Sequence, residues 1–360
     1  RGRHPAGTAG PPRRSPFIMP RPFFTLIAVL VLAGGLTISG ADAADARAVE
    51  SLRKEVSAKG YLVASIKQAR GDWDLVLMRP DGSEQRKLTD TPAWSEAAPR
   101  WSPDSRRLLY RRIKTGTVIS HDRWGFQGEL VVADALGRKG RVLGKHPWGC
   151  WSPDGSKISC LSLKGIEILD VTTGTVQRRM KRAGYFQQLF WSPDGKWFCG
   201  TANVGGELWT IVRMDVVTGK WNVVSRFRNC TPDWAPDSKQ VIFSNRPSNQ
   251  QGYGWTQLWI APGNGGNRKM IYGEDGRHIY GGGLSPDGRY VLFTRCPKDG
   301  GGSERAGAPG GLMRLADAPI IGGASPALRK LHPKANDGPV LPLPDLWEPH
   351  WTYTDVTAAR

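Results

Sequence analysis

From residue 61 onward the apolar residues fall in short runs, some alternating and some continuous, separated by turn residues. This is the pattern of half-buried and fully buried strands. One set of runs (107–110, 157–161, 197–200, 240–243 and 290–294) follows a Pro-Asp turn that is preceded by a Trp, or by Leu284 in the last. A second set comes a few residues later, at 73–78, 130–133, 166–170, 208–212 and 258–261. Tight turns such as Pro80-Asp81-Gly82, Thr173-Gly174 and Thr218-Gly219 come next, ahead of short final runs like 86–88 and 141–143. Gly, Asn and Asp supply the backbone angles that short hairpin turns require. Four short strands joined by hairpins are therefore expected, and expected repeatedly.

The repeat is explicit at one phrase. It reads Trp101-Ser-Pro-Asp104-Ser, Trp151-Ser-Pro-Asp154-Gly, Trp191-Ser-Pro-Asp194-Gly, Trp234-Ala-Pro-Asp237-Ser and Leu284-Ser-Pro-Asp287-Gly, with a degraded copy at Pro349-His350-Trp351-Thr352. The anchors lie 50, 40, 43, 50 and 67 residues apart, which suits a four-stranded propeller blade with enlarged loops. The fold class predicted is all-β: a six-bladed β-propeller of four-stranded antiparallel blades. Blade one has a second, third and fourth strand (61–66, 73–78, 86–88) but no inner strand before them, whereas 348–353 is a spare inner strand at the other end. Pairing of the two closes the ring by joining the C-terminal strand to the first blade, and removes the open edge. Each repeated Trp is expected to wedge against the neighbouring blade. Burying about 200 Å² of ring at about 25 cal/mol per Å² sets an upper bound near 5 kcal/mol.

The Trp-Ser-Pro-Asp-Gly copies, with companions such as Asp72-Trp73-Asp74-Leu75-Val76-Leu77-Met78 and Arg86-Lys87-Leu88-Thr89, resemble the TolB-type propeller repeat. The resemblance covers residues 60–354 and concerns the propeller only, without the additional α/β domain that precedes it in TolB itself. It implies a propeller fold and a place in the cell envelope, and names no catalytic residue.

Composition adds location and charge. The run FFTLIAVLVL at 23–32 follows Met19-Pro-Arg21-Pro and leads to Ala41-Asp42-Ala43, the layout of a signal peptide. The expected organisation is a non-native upstream extension at 1–18, a signal peptide at 19–43 and a short helical or extended arm at 44–59. The propeller follows at 60–354 and a tail at 355–360. The net charge of +18 is carried mostly by the part after the signal, so acidic partners are favoured. No run of five or more Lys/Arg marks a polyanion groove, and no nucleic acid is expected. The five cysteines (150, 160, 199, 230, 296) are too few and irregular for a disulfide framework and read as small buried hydrophobes. With Trp151 opposite Ile158, Cys150 and Cys160 point to opposite faces of the sheet and should not bond to each other.

Catalytic motifs are missing: there is no G-x-S-x-G elbow, H-E-x-x-H pair, C-x-x-C pair, P-loop or dinucleotide fingerprint. The longest expected loops (113–128, 245–256, 272–280, 296–311 and 332–347) are all assigned to one face of the disc. That makes it the expected working surface. Arg123, Trp124, Trp148, Gln188, Tyr253, Trp255, Tyr280 and Glu348 are the candidate partner- or ligand-binding residues there, with Gln187 and Arg246 beside them. The functional expectation is an exported, monomeric, non-enzymatic scaffold, periplasmic or secreted. It would bind an envelope protein or an acidic glycan without a cofactor. The alternative is a metal-dependent lyase or hydrolase acting on acidic polysaccharide, with a divalent metal ion held by His146, His278 and His350 and with His121 nearby.

Overall fold

The computed structural model describes residues 40–117, 128–146, 148–247, 254–297, 308–323 and 325–358. Their strands form six antiparallel sheets arranged as a propeller. Blade one comprises β1 (Tyr61–Lys67), β2 (Trp73–Met78) and β3 (Arg86–Lys87). Blade two holds β4 (Trp94–Trp101), β5 (Arg107–Lys114), β6 (Glu129–Asp134) and β7 (Arg141–Gly144). Blade three holds β8 (Gly149–Trp151), β9 (Lys157–Ser162), β10 (Gly165–Asp170) and β11 (Val176–Met180). Blade four is β12 (Tyr185–Trp191), β13 (Trp197–Val204), β14 (Glu207–Asp215) and β15 (Trp221–Ser225). Blade five is β16 (Asn229–Trp234), β17 (Gln240–Asn245), β18 (Gln257–Pro262) and β19 (Lys269–Glu274). In blade six, β20 (Arg277–Leu284), β21 (Tyr290–Pro297) and β22 (Pro309–Arg314) are followed by an excursion before the outer strand β24 (Leu341–Asp345).

That excursion contains β23 (Ile320–Gly322), which adds to blade five in parallel beside β19, and a short helix α2 (Pro326–Leu331) capped by Ser325. The last strand, β25 (Trp347–Thr352), pairs antiparallel with β1 and closes the ring as expected, with Leu62 opposite Trp351.

Because every blade is covered on both faces, the apolar core is divided into layers between blades. Tyr61, Val63, Leu75 and Leu77 of blade one pack on Trp101, Leu108, Tyr110 and Val131 of blade two. Leu109, Leu130 and Val132 on the other face of blade two meet Trp151, Ile158 and Leu169 of blade three. The repeated indoles tie the layers together: Nε1 of Trp151 donates to the Arg100 carbonyl at 2.9 Å, and that of Trp234 to Phe190 at 3.2 Å. In the turns, each Ser hydroxyl donates to the following Asp and accepts from the next strand, as Ser102 does with Asp104 at 2.5 Å and the Arg107 amide at 3.0 Å. The Ser152 hydroxyl and the Ser156 amide hold the Asp154 carboxyl down at about 2.

A helix α1 (Gly40–Val56) lies ahead of the ring. Leu52 and Val56 are fully buried against Met78 of blade one and Leu312, Leu341 and Leu343 of blade six, so the helix covers the seam next to the closing strand. Glu55 accepts from Arg314 and Tyr290 there. The helix is longer than the arm expected at 44–59 and runs through the Ala-Asp-Ala segment. Residues 1–39, including the apolar run, lie outside the described residues, and no described helix is long and apolar enough to cross a membrane.

Two expected loops are strands instead. In 272–280, β19 continues to Glu274 and β20 begins at Arg277, so the link is a tight turn. Within 332–347, residues 341–345 form β24 and Trp347 opens β25, while 332–340 end a long connection between the third and fourth strands of blade six rather than an entry to the inner strand. The first error arose from polar, Gly-containing sequence and the second from Pro342 and Pro344; both stretches are strand because their neighbours pair with them, a tertiary effect that overrides local preference. All five cysteines are free, and Trp151 is paired with Ile158.

Candidate functional site: the channel mouth

Five of the six inner strands share a backbone irregularity. Ala98, Gln188, Thr231, Gly281 and Glu348 have positive φ, between 46° and 60°. Each stands three residues before its anchor (Trp101, Trp191, Trp234, Leu284 and Trp351). At each, the pairing with the neighbouring strand shifts register. These are β-bulges, which bend a strand and redirect a side chain, and they recur next to binding sites. They set Gln188, Thr231 and Glu348 toward the ring axis, along with the residue before each: Gln187, Cys230 and Trp347. In blade three the same position holds Trp148.

The result is a cavity of about 510 Å³ at the mouth of the channel, on the face away from the Pro-Asp turns. Its walls are Trp148, Trp209, Tyr280 and Trp347. Its polar lining comes from Gln187, Gln188, Thr231, Thr256, Arg111, Arg228, Arg246 and Glu348. Among the described lining residues Glu348 is the single carboxylate, and it is engaged: Arg111 Nη2 donates to it at 3.1 Å, with the Arg111 guanidinium stacked 3.5 Å from the Trp148 ring centre. Arg228 and Arg246 are exposed, and the Arg246 Nε donates to the Gly254 carbonyl at 3.1 Å. Burial pushes the Cys230 thiol up to about 12 and the Tyr280 phenol well above its usual range, so both stay neutral. The mouth is therefore apolar-walled and cationic. It suits a ring or aliphatic group that carries an anion.

Of the residues singled out from sequence, Trp148, Gln187, Gln188, Tyr280, Glu348 and Arg246 line this cavity. Trp255 lies beside it, edge-on to His278 at 5.3 Å between ring centres. Arg123, Trp124, Tyr253 and His121 fall outside the described residues. Arg111, Arg228, Thr231, Trp209 and Trp347 were missed. The usable signal was the position three and four residues before each anchor, which supplies Trp347 and Thr231; Arg111 reads as an ordinary strand residue.

The three histidines considered for a metal have separate surroundings. The Thr256 amide donates to His278 Nδ1 at 3.1 Å, and burial with the nearby Arg246 charge lowers its pKa. His350 is half-buried at the other end of the channel, in a funnel of about 560 Å³ lined by the anchor and Pro-Asp turns. The Trp101 amide donates to its Nδ1 at 3.2 Å, and burial depresses its pKa to about 3. His146 faces Cys160 and Glu167 of blade three.

No family model matches the chain. A curated relative, the Tol-Pal system protein TolB of Anaeromyxobacter dehalogenans (strain 2CP-C), is 31% identical over 135 residues, which is 36% of this chain and 29% of that protein. The chain thus spans less than a third of the length of that relative. Among solved structures, TolB from Acinetobacter baumannii superposes with a TM-score of 0.54 at 18% identity, over 72% of this chain and 62% of that one. A putative TolB from Agrobacterium tumefaciens gives 0.50 at 22% identity, over 71% and 84%. The chain is a β-propeller with TolB-like relatives at modest sequence identity.

Proposed function

We propose that the protein is an exported, TolB-like scaffold of the cell envelope, and that it binds a partner protein through the channel mouth without transforming it. The observation that carries this reading is the mouth itself: aromatic walls with two exposed arginines, and a sole described carboxylate already paired with Arg111. Such a site recognises an acidic segment that also offers an apolar side chain. The TolB-like relatives support an envelope setting.

The test is capture from an envelope extract, with wild type against the double variant Arg228→Ala, Arg246→Ala. Both side chains are exposed, so melting temperature should hold, since surface changes stay within about 0.5 kcal/mol. Wild type should retain a defined protein, less of it as salt rises, and the variant should lose at least tenfold of it. Equal capture by both, or retention of acidic glycan in place of protein, overturns the reading.

A further inference from the structure

Blade three carries a second cluster, beside the mouth but not part of its lining. Cys160 and Glu167 are register partners across β9 and β10, so their side chains leave the same face of the sheet. The connection from β7 to β8 lays His146 over them. One potential ligand atom from each of the three lies within 4.8 Å of the other two. Cys160 is fully buried, Glu167 nearly so, and His146 partly.

The polar atoms of this cluster do not satisfy one another. His146 Nδ1 is 3.6 Å from Glu167 Oε2, too far for a hydrogen bond, and this buried nitrogen has no hydrogen-bond partner among the described residues. A buried polar atom in that condition calls for a missing partner. The other carboxylate oxygen, Oε1, accepts from Arg179 Nε at 2.8 Å, which orients the group and leaves Oε2 facing His146. The Cys160 thiol donates only a weak hydrogen bond, to the Glu167 carbonyl at 3.6 Å.

We propose that His146, Cys160 and Glu167 bind a divalent transition-metal ion of the zinc class. One imidazole, one thiolate and one carboxylate form a donor set for a borderline-soft ion, while calcium and magnesium require all-oxygen shells. On binding, the Cys160 thiol gives its proton to solvent and the metal–sulfur bond forms. The thiolate and carboxylate then neutralise the ion, and Arg179 is the outer partner that ligating carboxylates commonly have. Bond lengths of about 2.0–2.3 Å require the three ligand atoms to draw together by roughly 1 Å. His146 is the member able to move, because it lies on a connection rather than a strand. Gly144, at φ +143°, makes room for it, since a Cβ there would stand 2.9 Å from His146 Nε2. Two residues on, Trp148 carries the Arg111 guanidinium, so a bound ion would brace that wall of the mouth.

The test uses the full chain stripped with a chelator and titrated first with cobalt(II) alone and then with zinc(II). One equivalent of cobalt should bind, with a thiolate-to-cobalt charge-transfer band that zinc abolishes. Cys160→Ser should remove the band. His146→Ala, on the connection and tolerant of change, should lower affinity at least tenfold with a melting temperature, read in chelator, close to wild type. Arg179→Ala should weaken binding by about 10–100-fold, whereas His332→Ala, packed on Trp259 in blade five, should leave it unchanged. A titration without the band overturns the assignment. So does a band that survives both Cys160→Ser and His146→Ala, or one lost equally in His332→Ala.

Discussion

Glu96 in β4 is 2% exposed, and its carboxyl accepts from the hydroxyls of Thr89, at 3.2 Å, and Thr91. Burial raises its pKa to about 7, the neighbouring Asp74 adds to the rise, and the hydroxyls and Arg112 oppose it. In the unfolded chain the same group titrates near 4.5, so between pH 4.5 and 7 the folded state holds a proton that the unfolded state has released. Its stabilisation is full below pH 4.5 and is lost as the pH rises to about 7, a difference of up to about 3 kcal/mol. Glu96→Gln should flatten that part of a plot of unfolding free energy against pH, measured by denaturant titration from pH 5 to 8. An unchanged slope would refute the assignment. His350 acts in the opposite direction: its pKa is depressed, so stability falls as the pH drops below about 6.5. Neither effect was legible in the sequence, where Glu96 looks like an ordinary polar residue of an alternating strand and His350 was noticed only as a candidate metal ligand. Their burial depends on which blade lies against them.

At the scale of the strand, the bulge three residues before each anchor builds the mouth. It is occupied by Ala98, Gln188, Thr231, Gly281 and Glu348, which share no chemistry. That is why the Trp-Ser-Pro-Asp phrase announced the strands and turns so plainly while the bulges stayed hidden. The phrase is set by side chains, the bulge by the closing geometry of the ring. Gln188, Tyr280 and Glu348 were still found as candidates because they fall on the face assigned the longest loops, whereas Arg111 was lost in the run of β5. The bulge also makes a prediction. A Cβ at Gly281 would meet nothing within 4 Å, yet its φ of +60° is unfavourable for any other residue. Gly281→Ala should therefore cost about 1 kcal/mol in thermal or denaturant unfolding through backbone conformation alone. Ala98→Gly, which relieves the same conformation, should not destabilise. Equal behaviour of the two variants would show that the bulges carry no strain.

For the whole molecule, the number of blades and the mode of closure were readable because a repeat with a missing first strand and a spare last one has one economical solution. The β23 addition to blade five was not readable, since a parallel partner from a later excursion leaves no local pattern. Closure predicts the outcome of a truncation. Deleting 346–360 removes β25 and with it Trp351, whose indole donates to the Lys59 carbonyl at 2.7 Å. The inner edge of β1 is then unpaired and apolar on both faces. The truncated chain should aggregate or melt at a much lower temperature, as followed by light scattering and circular dichroism. A soluble monomer with the wild-type melting temperature would show that the ring does not depend on its last strand.

The same seam orders events in time and under load. The bond from Trp351 to Lys59 joins residues 292 positions apart, so in a chain made from its N-terminus the first blade must wait for β25, after the other five blades, before it is complete. Such distant pairing is slow to find. Throughout that wait β1 presents an open edge, the stage at which a holding chaperone would matter most. Once formed, β25 is held beyond its own ladder, because Val356, four residues past its end, is fully buried with Tyr61, Leu75 and Trp101. Tension applied beyond that point must therefore draw Val356 out of the layer between blades one and two before β25 can peel away from β1, so the closing strand carries a latch as well as a ladder.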